Sequence, residues 1–369
     1  MAAFGKSEPP AQSQSAPAVK IDREQSDALS AALREWGGLT DPQASALPGG
    51  LIHRSFAVRD GDVEYILQRV SPIFGLGIHQ NILAVTTHLA ARAIPTLRIL
   101  KSRSGEPYTD LGERGIWRLE TRMPGVTFDT CTSPEQARSA SALVARFHSA
   151  LDDLDFDFRP LGIPLHDTAL QLRALEDALS EHAGHRLLSS VQPLAEEILA
   201  AAVDWEPLED LPARVVHGDL KFNNVLFAGA AGGARDRALS LIDLDTVSRM
   251  PLYAELGDAW RSWCNRRGED SERAELDGEL LRAAALAYLD ALEIELEPAE
   301  RRSLALGVER ISLELAARFA ADALRESYFG WDATRFSSAG EHNLVRARGQ
   351  LSLSRQARDA RDQWLRLLT

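Results

Sequence analysis

The chain has 369 residues, 45% of them hydrophobic, which suffices for two globular units of roughly 100–200 residues each with a core of ordinary composition. Its formal charge of −13 disfavours nucleic acid and anionic membrane as general partners, and any anionic ligand must be met by locally positive groups. Two isolated cysteines, Cys131 and Cys264, imply neither a disulfide framework nor a metal site; with no apolar run of 18 residues and no secretion-signal pattern, a cytoplasmic location is the default expectation, and no feature sets an oligomeric state.

Residues 1–22, rich in Ala, Ser, Pro and Gln, read as a flexible tail. Apolar spacing from Ser26 to Trp36 predicts a short helix. Gly49 and Gly50 precede an alternating run from Ile52 to Val58, and Asp60-Gly61-Asp62 separates it from a second run, Glu64 to Val70, a hairpin signal. A helix over 79–93 and strands over 96–101 and 116–123 complete a small β-rich lobe, 23–124. Beyond Gly125 the pattern turns helical. Ser133-Pro134-Glu135 opens a helix to Leu151, with a capping Ser and Pro at the first helical position. Further helices fit 166–182, 190–203, 252–265, 272–296, 298–329 and 340–368, interrupted by short strands over 214–216 and 239–243. The expectation is an α+β, two-lobe architecture whose large lobe, 125–369, is mainly helical. The arginines Arg346, Arg348, Arg355, Arg358, Arg361 and Arg366 of the last helix fit a solvated, ion-paired face better than a nucleic-acid patch.

Chemistry concentrates in Val215-Val216-His217-Gly218-Asp219-Leu220-Lys221-Phe222-Asn223-Asn224 and in Leu241-Ile242-Asp243-Leu244-Asp245-Thr246. In both, polar groups follow apolar strands, which is where a rigid frame mounts reactive side chains. Phosphoryl transfer needs a positioned acceptor oxygen, a proton acceptor and Mg²⁺ to neutralise phosphate charge. Asp219 suits the acceptor hydroxyl. Asn224, five residues on, offers a neutral oxygen to the metal, and Asp243 the hard anionic oxygen that Mg²⁺ prefers.

His217-x-Asp219-x-x-x-x-Asn224 followed by Ile242-Asp243 resembles the catalytic and metal-binding loops of the aminoglycoside phosphotransferase and choline kinase family, relatives of the protein kinases. That resemblance implies a protein-kinase-like fold, ATP and Mg²⁺ as cofactors, and a supporting rather than proton-transferring role for His217. Within the family, Glu64-Tyr65-Ile66-Leu67-Gln68, Ile242 to Thr246, Arg318-Phe319-Ala320-Ala321-Asp322 with Tyr328-Phe329, and Glu341-His342-Asn343-Leu344-Val345-Arg346 are similar to the N-acetylhexosamine 1-kinases. These segments span both lobes. They imply a sugar acceptor phosphorylated at its anomeric O1, with Arg318 and Tyr328 as sugar contacts beside Asp219. An aminoglycoside, amino sugar or amino alcohol is the alternative acceptor. A catalytically silent nucleotide-binding protein is the alternative of another class.

Several assignments have two readings. Lys221 is either a solvated charge or a group that steadies the γ-phosphate. Asp245 either binds a second metal or holds its loop. Arg318 lies one turn from both Glu314 and Asp322, so an i,i+4 ion pair competes with substrate contact. The segment from Gly50 to Ser55 resembles a phosphate-covering loop, in which His53 is a candidate for the sugar or the phosphates. Gln68, Arg122 and Met123 complete the candidate nucleotide contacts. Kinases place a Lys on the third strand, paired to a Glu on the next helix. Here Gln68 takes the strand position, and residues 71–100 contain neither Asp nor Glu. Arg69, Lys221 or additional Mg²⁺ is then expected to supply the positive field.

Overall fold

In the computed structural model, residues 23–47, 52–203, 205, 208, 210–229 and 235–369 are described; the expected tail and Gly50 lie outside them. The chain forms two compact units. One runs to Pro72 and resumes over Ile99–Arg122; the other comprises Ile73–Arg98 and Met123–Thr369.

The smaller unit is a helix on an antiparallel sheet. Helix α1 (Arg23–Leu33) precedes strands β1 (Gln43–Ala46), β2 (Arg54–Asp60) and β3 (Val63–Val70). In the same unit are β4 (Ile99–Leu100), β5 (Thr109–Asp110) and β6 (Ile116–Thr121). The order is β1-β2-β3-β6-β4, with β5 also on β6. Gly61, at φ 61°, makes the β2–β3 turn where the Asp-Gly signal falls. Side chains alternate across the sheet, so Phe56, Val58, Leu67, Trp117 and Leu119 share one face. They pack on Ala28, Leu29 and Ala32 of α1 and on Trp36. Each fully buried side chain of this size contributes about 1.5–3 kcal/mol. The opposite face carries Ser55, Gln68, Arg118 and Glu120. Strands β1 and β5 escape sequence reading, since Gln43-Ala44-Ser45-Ala46 alternates only through two small alanines and a two-residue strand has no period.

The larger unit is built from α2 (Ile78–Ala91), α3 (Pro134–Leu151), α4 (Thr168–Glu181), α5 (Leu188–Val203), α6 (Leu252–Trp263), α7 (Gly278–Ala291), α8 (Pro298–Arg325), α9 (Ala339–Asp359) and α10 (Arg361–Leu368). Ser133 caps α3 by accepting the Gln136 N–H at 3.2 Å. Helix α8 is buried along almost its whole length, as a central helix must be. Its neighbours are α4, α5, α6, α9 and α10. It crosses α6 at Gly257 and Gly307, where a Cβ on Gly257 would lie 2.5 Å from the Gly307 carbonyl oxygen. Several helix limits differ from expectation, three of them with a visible cause. Helix α7 starts at Gly278 because Asp277 accepts the N–H groups of Glu279 and Leu280. Helix α8 stops before 329 because Glu326 turns left-handed at φ 49°. The last helix is two, broken at Ala360.

Two small antiparallel pairs interrupt the helices: β7 (Arg214–Val216) with β10 (Ser248–Met250), and β8 (Val225–Phe227) with β9 (Ala238–Leu241). Strands β8 and β10, three residues each, are additions to the expected pattern. The arginines of the last two helices are largely ion-paired: Arg346 with Asp270, Arg348 with Glu272, Arg355 with Glu197, and Arg358 and Arg361 with Glu309.

Candidate active site

The loop after β7 is fixed by its glycine and by bonds from its backbone to a buried carboxylate. Gly218 adopts φ 85°, and a Cβ there would sit 2.5 Å from the Thr246 carbonyl oxygen, so only glycine fits. Buried Glu255 of α6 accepts the N–H of His217 at 2.8 Å and of Gly218 at 2.7 Å. Its second neighbour is His148, itself bonded to the Tyr288 hydroxyl at 2.8 Å. Burial alone would push the Glu255 carboxyl up. The His148 hydrogen bond, the imidazoles of His148 and His217 and the Gly218 N–H together hold it below the usual carboxylate range.

His217 ties the two motif loops together. Its Nδ1 accepts the Asp219 N–H at 3.3 Å, so Nε2 carries the proton and donates to the Ile242 carbonyl at 2.8 Å. The Thr246 hydroxyl donates to the His217 carbonyl at 2.9 Å. Trp263 Nε1 donates to the Leu220 carbonyl at 2.7 Å, fixing the loop from α6. Asp219 therefore stands on a backbone restrained at both ends, and its carboxylate is a quarter exposed.

The Asn224 amide nitrogen donates to the Asp219 carbonyl at 2.8 Å. That bond sets the amide's orientation and leaves Oδ1 as the outward ligand atom. The Asn224 carbonyl in turn accepts the Ile242 N–H at 3.0 Å, bringing the second loop alongside the first. Asp243 is exposed and left-handed, at φ 62° and ψ 58°. Such a conformation in a non-glycine residue is costly and marks functional sites. Asp245 is buried, and a carboxylate oxygen of each lies within 4.8 Å of the other. Three hard oxygen donors from Asn224, Asp243 and Asp245 are a set that suits a small divalent cation.

Lys221 bonds Asp219 at 3.0 Å with its side chain half exposed. Desolvation opposes its charge, but the carboxylates of Asp219, Asp258 and Asp243 outweigh this and hold the ammonium above its ordinary value. Around it the acidic groups are internally engaged. Asp258 pairs with Arg261 at 2.7 Å. Glu314 accepts from the Thr168 hydroxyl at 2.6 Å and bonds His166 at 3.1 Å. Asp322 accepts the N–H groups of Ser327, Tyr328 and Phe329 and the Asn343 amide.

Neither neighbour on α8 is thus left for Arg318. The i,i+4 pairs with Glu314 and Asp322 are not formed, and the guanidinium lies 5.8 Å from the Tyr328 ring and 5.5 Å from the Phe329 ring. Tyr328 is 64% exposed. The structure brings Arg318 and Tyr328 together by capping the end of α8 with Asp322, in reach of Asn343 on α9. Sequence reading assigns none of this supporting role to Asp322, Asn343 or Glu255. The usable signal is a polar residue at a helical position flanked by Leu252, Leu256 and Ala259, as Glu255 is.

In the smaller unit His53 is buried, and its Nδ1 accepts the Ser71 N–H at 2.9 Å. Gln68 receives Arg118 and reaches Ser55. Arg69 donates to the Glu113 carbonyl at 3.3 Å. Arg122 pairs with Glu64 at 3.3 Å and ends this unit, while half-buried Met123 begins the other.

Comparison with known proteins agrees with this architecture. An aminoglycoside phosphotransferase from Alicyclobacillus acidocaldarius superposes with a TM-score of 0.60 at 16% identity, covering 95% of this chain and 98% of that one. The amicoumacin kinase hAmiN, solved with AMP-PNP and Ca²⁺, superposes with a TM-score of 0.59 at 14% identity, over 90% and 94% of the two chains. A homoserine kinase from Zymomonas mobilis is 24% identical over 185 residues, 49% of this chain. The match spans about half, 52%, of that relative's length. The fold is the two-lobe, protein-kinase-like one, with a small β-rich and a mainly helical lobe. The profile of the APH phosphotransferase enzyme family matches residues 43–301, and the chain belongs to that family.

Proposed function

We propose that the enzyme transfers the γ-phosphate of ATP to a neutral, polyhydroxylated acceptor, an N-acetylhexosamine, at its anomeric O1. The observation that carries this reading is Arg318, which lies 5.8 Å from the Tyr328 ring and 5.5 Å from the Phe329 ring and is paired to no carboxylate among the described residues. A cationic acceptor requires uncompensated carboxylates. Those of α6 and α8 here are paired with Arg261 or His166, hydrogen-bonded by Thr168, or spent on backbone N–H groups. A rigid guanidinium fork and a phenol suit hydroxyl and acetamide groups. The choice of O1 rests on the motif resemblance and on acidity, since the ring oxygen makes the anomeric hydroxyl easier to deprotonate.

In this reading Asp219 orients the acceptor hydroxyl and accepts its proton. Asn224, Asp243 and Asp245 hold Mg²⁺, which neutralises phosphate charge when bound. Lys221, bonded to the Asp219 carboxylate and kept charged by its neighbours, would steady the transferred phosphoryl group.

ATP consumption across N-acetylhexosamines, un-acetylated hexosamines, an amino alcohol, an aminoglycoside and L-homoserine tests the reading. The expected outcome is turnover with N-acetylhexosamines, and a product phosphorus resonance coupled to the anomeric proton. A 3- or 6-phosphate, or turnover confined to cationic acceptors, overturns it. The homoserine kinase relative supports a second reading, in which Arg318 takes the carboxylate of a hydroxy amino acid; turnover with L-homoserine alone would establish it.

A further inference from the structure

A nucleotide triphosphate carries about four negative charges, and the third strand of a kinase small lobe ordinarily meets them with a lysine. Strand β3 of this protein presents neutral Gln68 instead. The cross-strand register shows what stands beside it. Ser55 on β2, Gln68 on β3 and Arg118 on β6 are direct partners across three adjacent strands. All three lie on the face opposite the apolar set that packs on α1. Arg118 donates to Gln68 Oε1 twice, from Nε at 2.9 Å and from a terminal nitrogen at 2.6 Å. Because a guanidinium only donates, the amide oxygen must face it, and the amide nitrogen is forced toward the Ser55 hydroxyl at 3.3 Å. Glu120, two residues along β6 and so on the same face, sets a carboxylate oxygen 3.7 Å from Arg118 Nε.

Arg118 is 1% exposed. Burying a guanidinium is costly, and an apolar residue would serve the sheet alone at least as well. Its two short bonds to one amide oxygen polarise that amide, and bonds aligned in a row strengthen one another. The Ser55 oxygen accepts from Gln68, which leaves its own proton to donate outward.

We infer that Arg118 is a positioning residue for nucleotide binding: with Glu120 it re-creates on β6 the ion pair missing from the third strand and the following helix, and its charge reaches the phosphates through the Gln68 amide and the Ser55 hydroxyl. The inference rests on the ATP reading above. It places the compensating charge on Arg118 rather than Arg69, whose guanidinium is bonded to the Glu113 carbonyl.

The test uses the full chain, Mg·AMP-PNP titrated by calorimetry, and steady-state KM values for ATP and acceptor. Arg118→Met is expected to raise the ATP KM at least about tenfold and leave the acceptor KM within about twofold. Ser55→Ala added to Arg118→Met should cost little more than Arg118→Met alone, since both break one relay. Moving the charge back to β3, in Gln68→Lys with Arg118→Met, should restore ATP affinity to within about threefold. An ATP KM unchanged by Arg118→Met overturns the inference. So does a loss that Gln68→Lys fails to restore, because a purely structural role gives that result. If Arg118→Met does not fold, Gln68→Glu keeps a partner for Arg118 while cancelling its charge, and unchanged AMP-PNP affinity in that variant is equally decisive. A wild-type chain that does not bind Mg·AMP-PNP defeats the ATP reading itself, a different result from a binding chain indifferent to Arg118.

Discussion

In the proposed reaction Asp219 is the residue on which the chemistry turns, and its setting separates its role from its neighbours'. Its backbone is fixed through His217, Asn224 and Gly218, so a change confined to the carboxylate should not disturb the loop. Asp219→Asn removes the proton acceptor and preserves shape. It is expected to lower kcat by about 10²–10⁴-fold, the usual contribution of general-base work, with Mg·AMP-PNP affinity within a few-fold of wild type. Calorimetry and steady-state rates on the same preparation check both halves, and a variant retaining more than about a tenth of wild-type kcat would remove the assignment. The amide cannot hold Lys221 as the carboxylate does, so a small rise in ATP affinity would show the ammonium released toward phosphate.

At the scale of elements, the end of α8 makes the acceptor side in the proposed reading. The helix stops where Glu326 turns left-handed, and the Asp322 carboxylate gathers the next three backbone N–H groups together with the Asn343 amide of α9. Arg346 of α9 donates to the Gly330 carbonyl at 2.8 Å and lies over the Phe319 ring, holding the same segment from its far side. Tyr328 is therefore presented to Arg318 by a cap that neither residue contains. Asp322→Asn replaces one acceptor oxygen with a donor facing backbone N–H groups. It should raise the acceptor KM about tenfold or more while the ATP KM stays within about twofold, the pattern of lost binding rather than lost chemistry. A fall in melting temperature with an unchanged acceptor KM would show the cap to be only a helix terminus.

At the scale of the whole molecule, a ligand that binds only the folded chain stabilises all of it. Saturating Mg·AMP-PNP at about 100 times its Kd should contribute about 2.7 kcal/mol, seen as a rise in melting temperature. Chelating the metal should abolish most of that rise if Asn224, Asp243 and Asp245 hold the cation. Asp243→Gly should remove the metal-dependent part in the same assay and leave the apo melting temperature near wild type, because Asp243 is exposed and glycine adopts its left-handed backbone without strain. An unaltered metal-dependent shift in that variant would take Asp243 out of the ligand set.

The sequence by itself determined the elements whose signals are local. Alternation and Asp-Gly set the β2–β3 hairpin, Ser133-Pro134 set the start of α3, and the spacing of His217, Asp219, Asn224 and Asp243 carries the chemistry proposed here. Such signals act over a few residues, through turn geometry, caps and loop reach, and are legible without a fold. It could not specify the partners of Gln68, Arg318 or Glu255. Each depends on a residue at least 21 positions away in the chain or on the length of a helix: Arg118 reaches Gln68 through strand register, Asn343 reaches Asp322 through the packing of α9 on α8, and Glu255 reaches His217 through the crossing of α6 under β7. Arg318 shows the difference most directly, since its spacing to Glu314 and Asp322 leaves an i,i+4 ion pair competing with substrate contact. Only the tertiary structure, by giving both carboxylates other donors, decides that the guanidinium stays available.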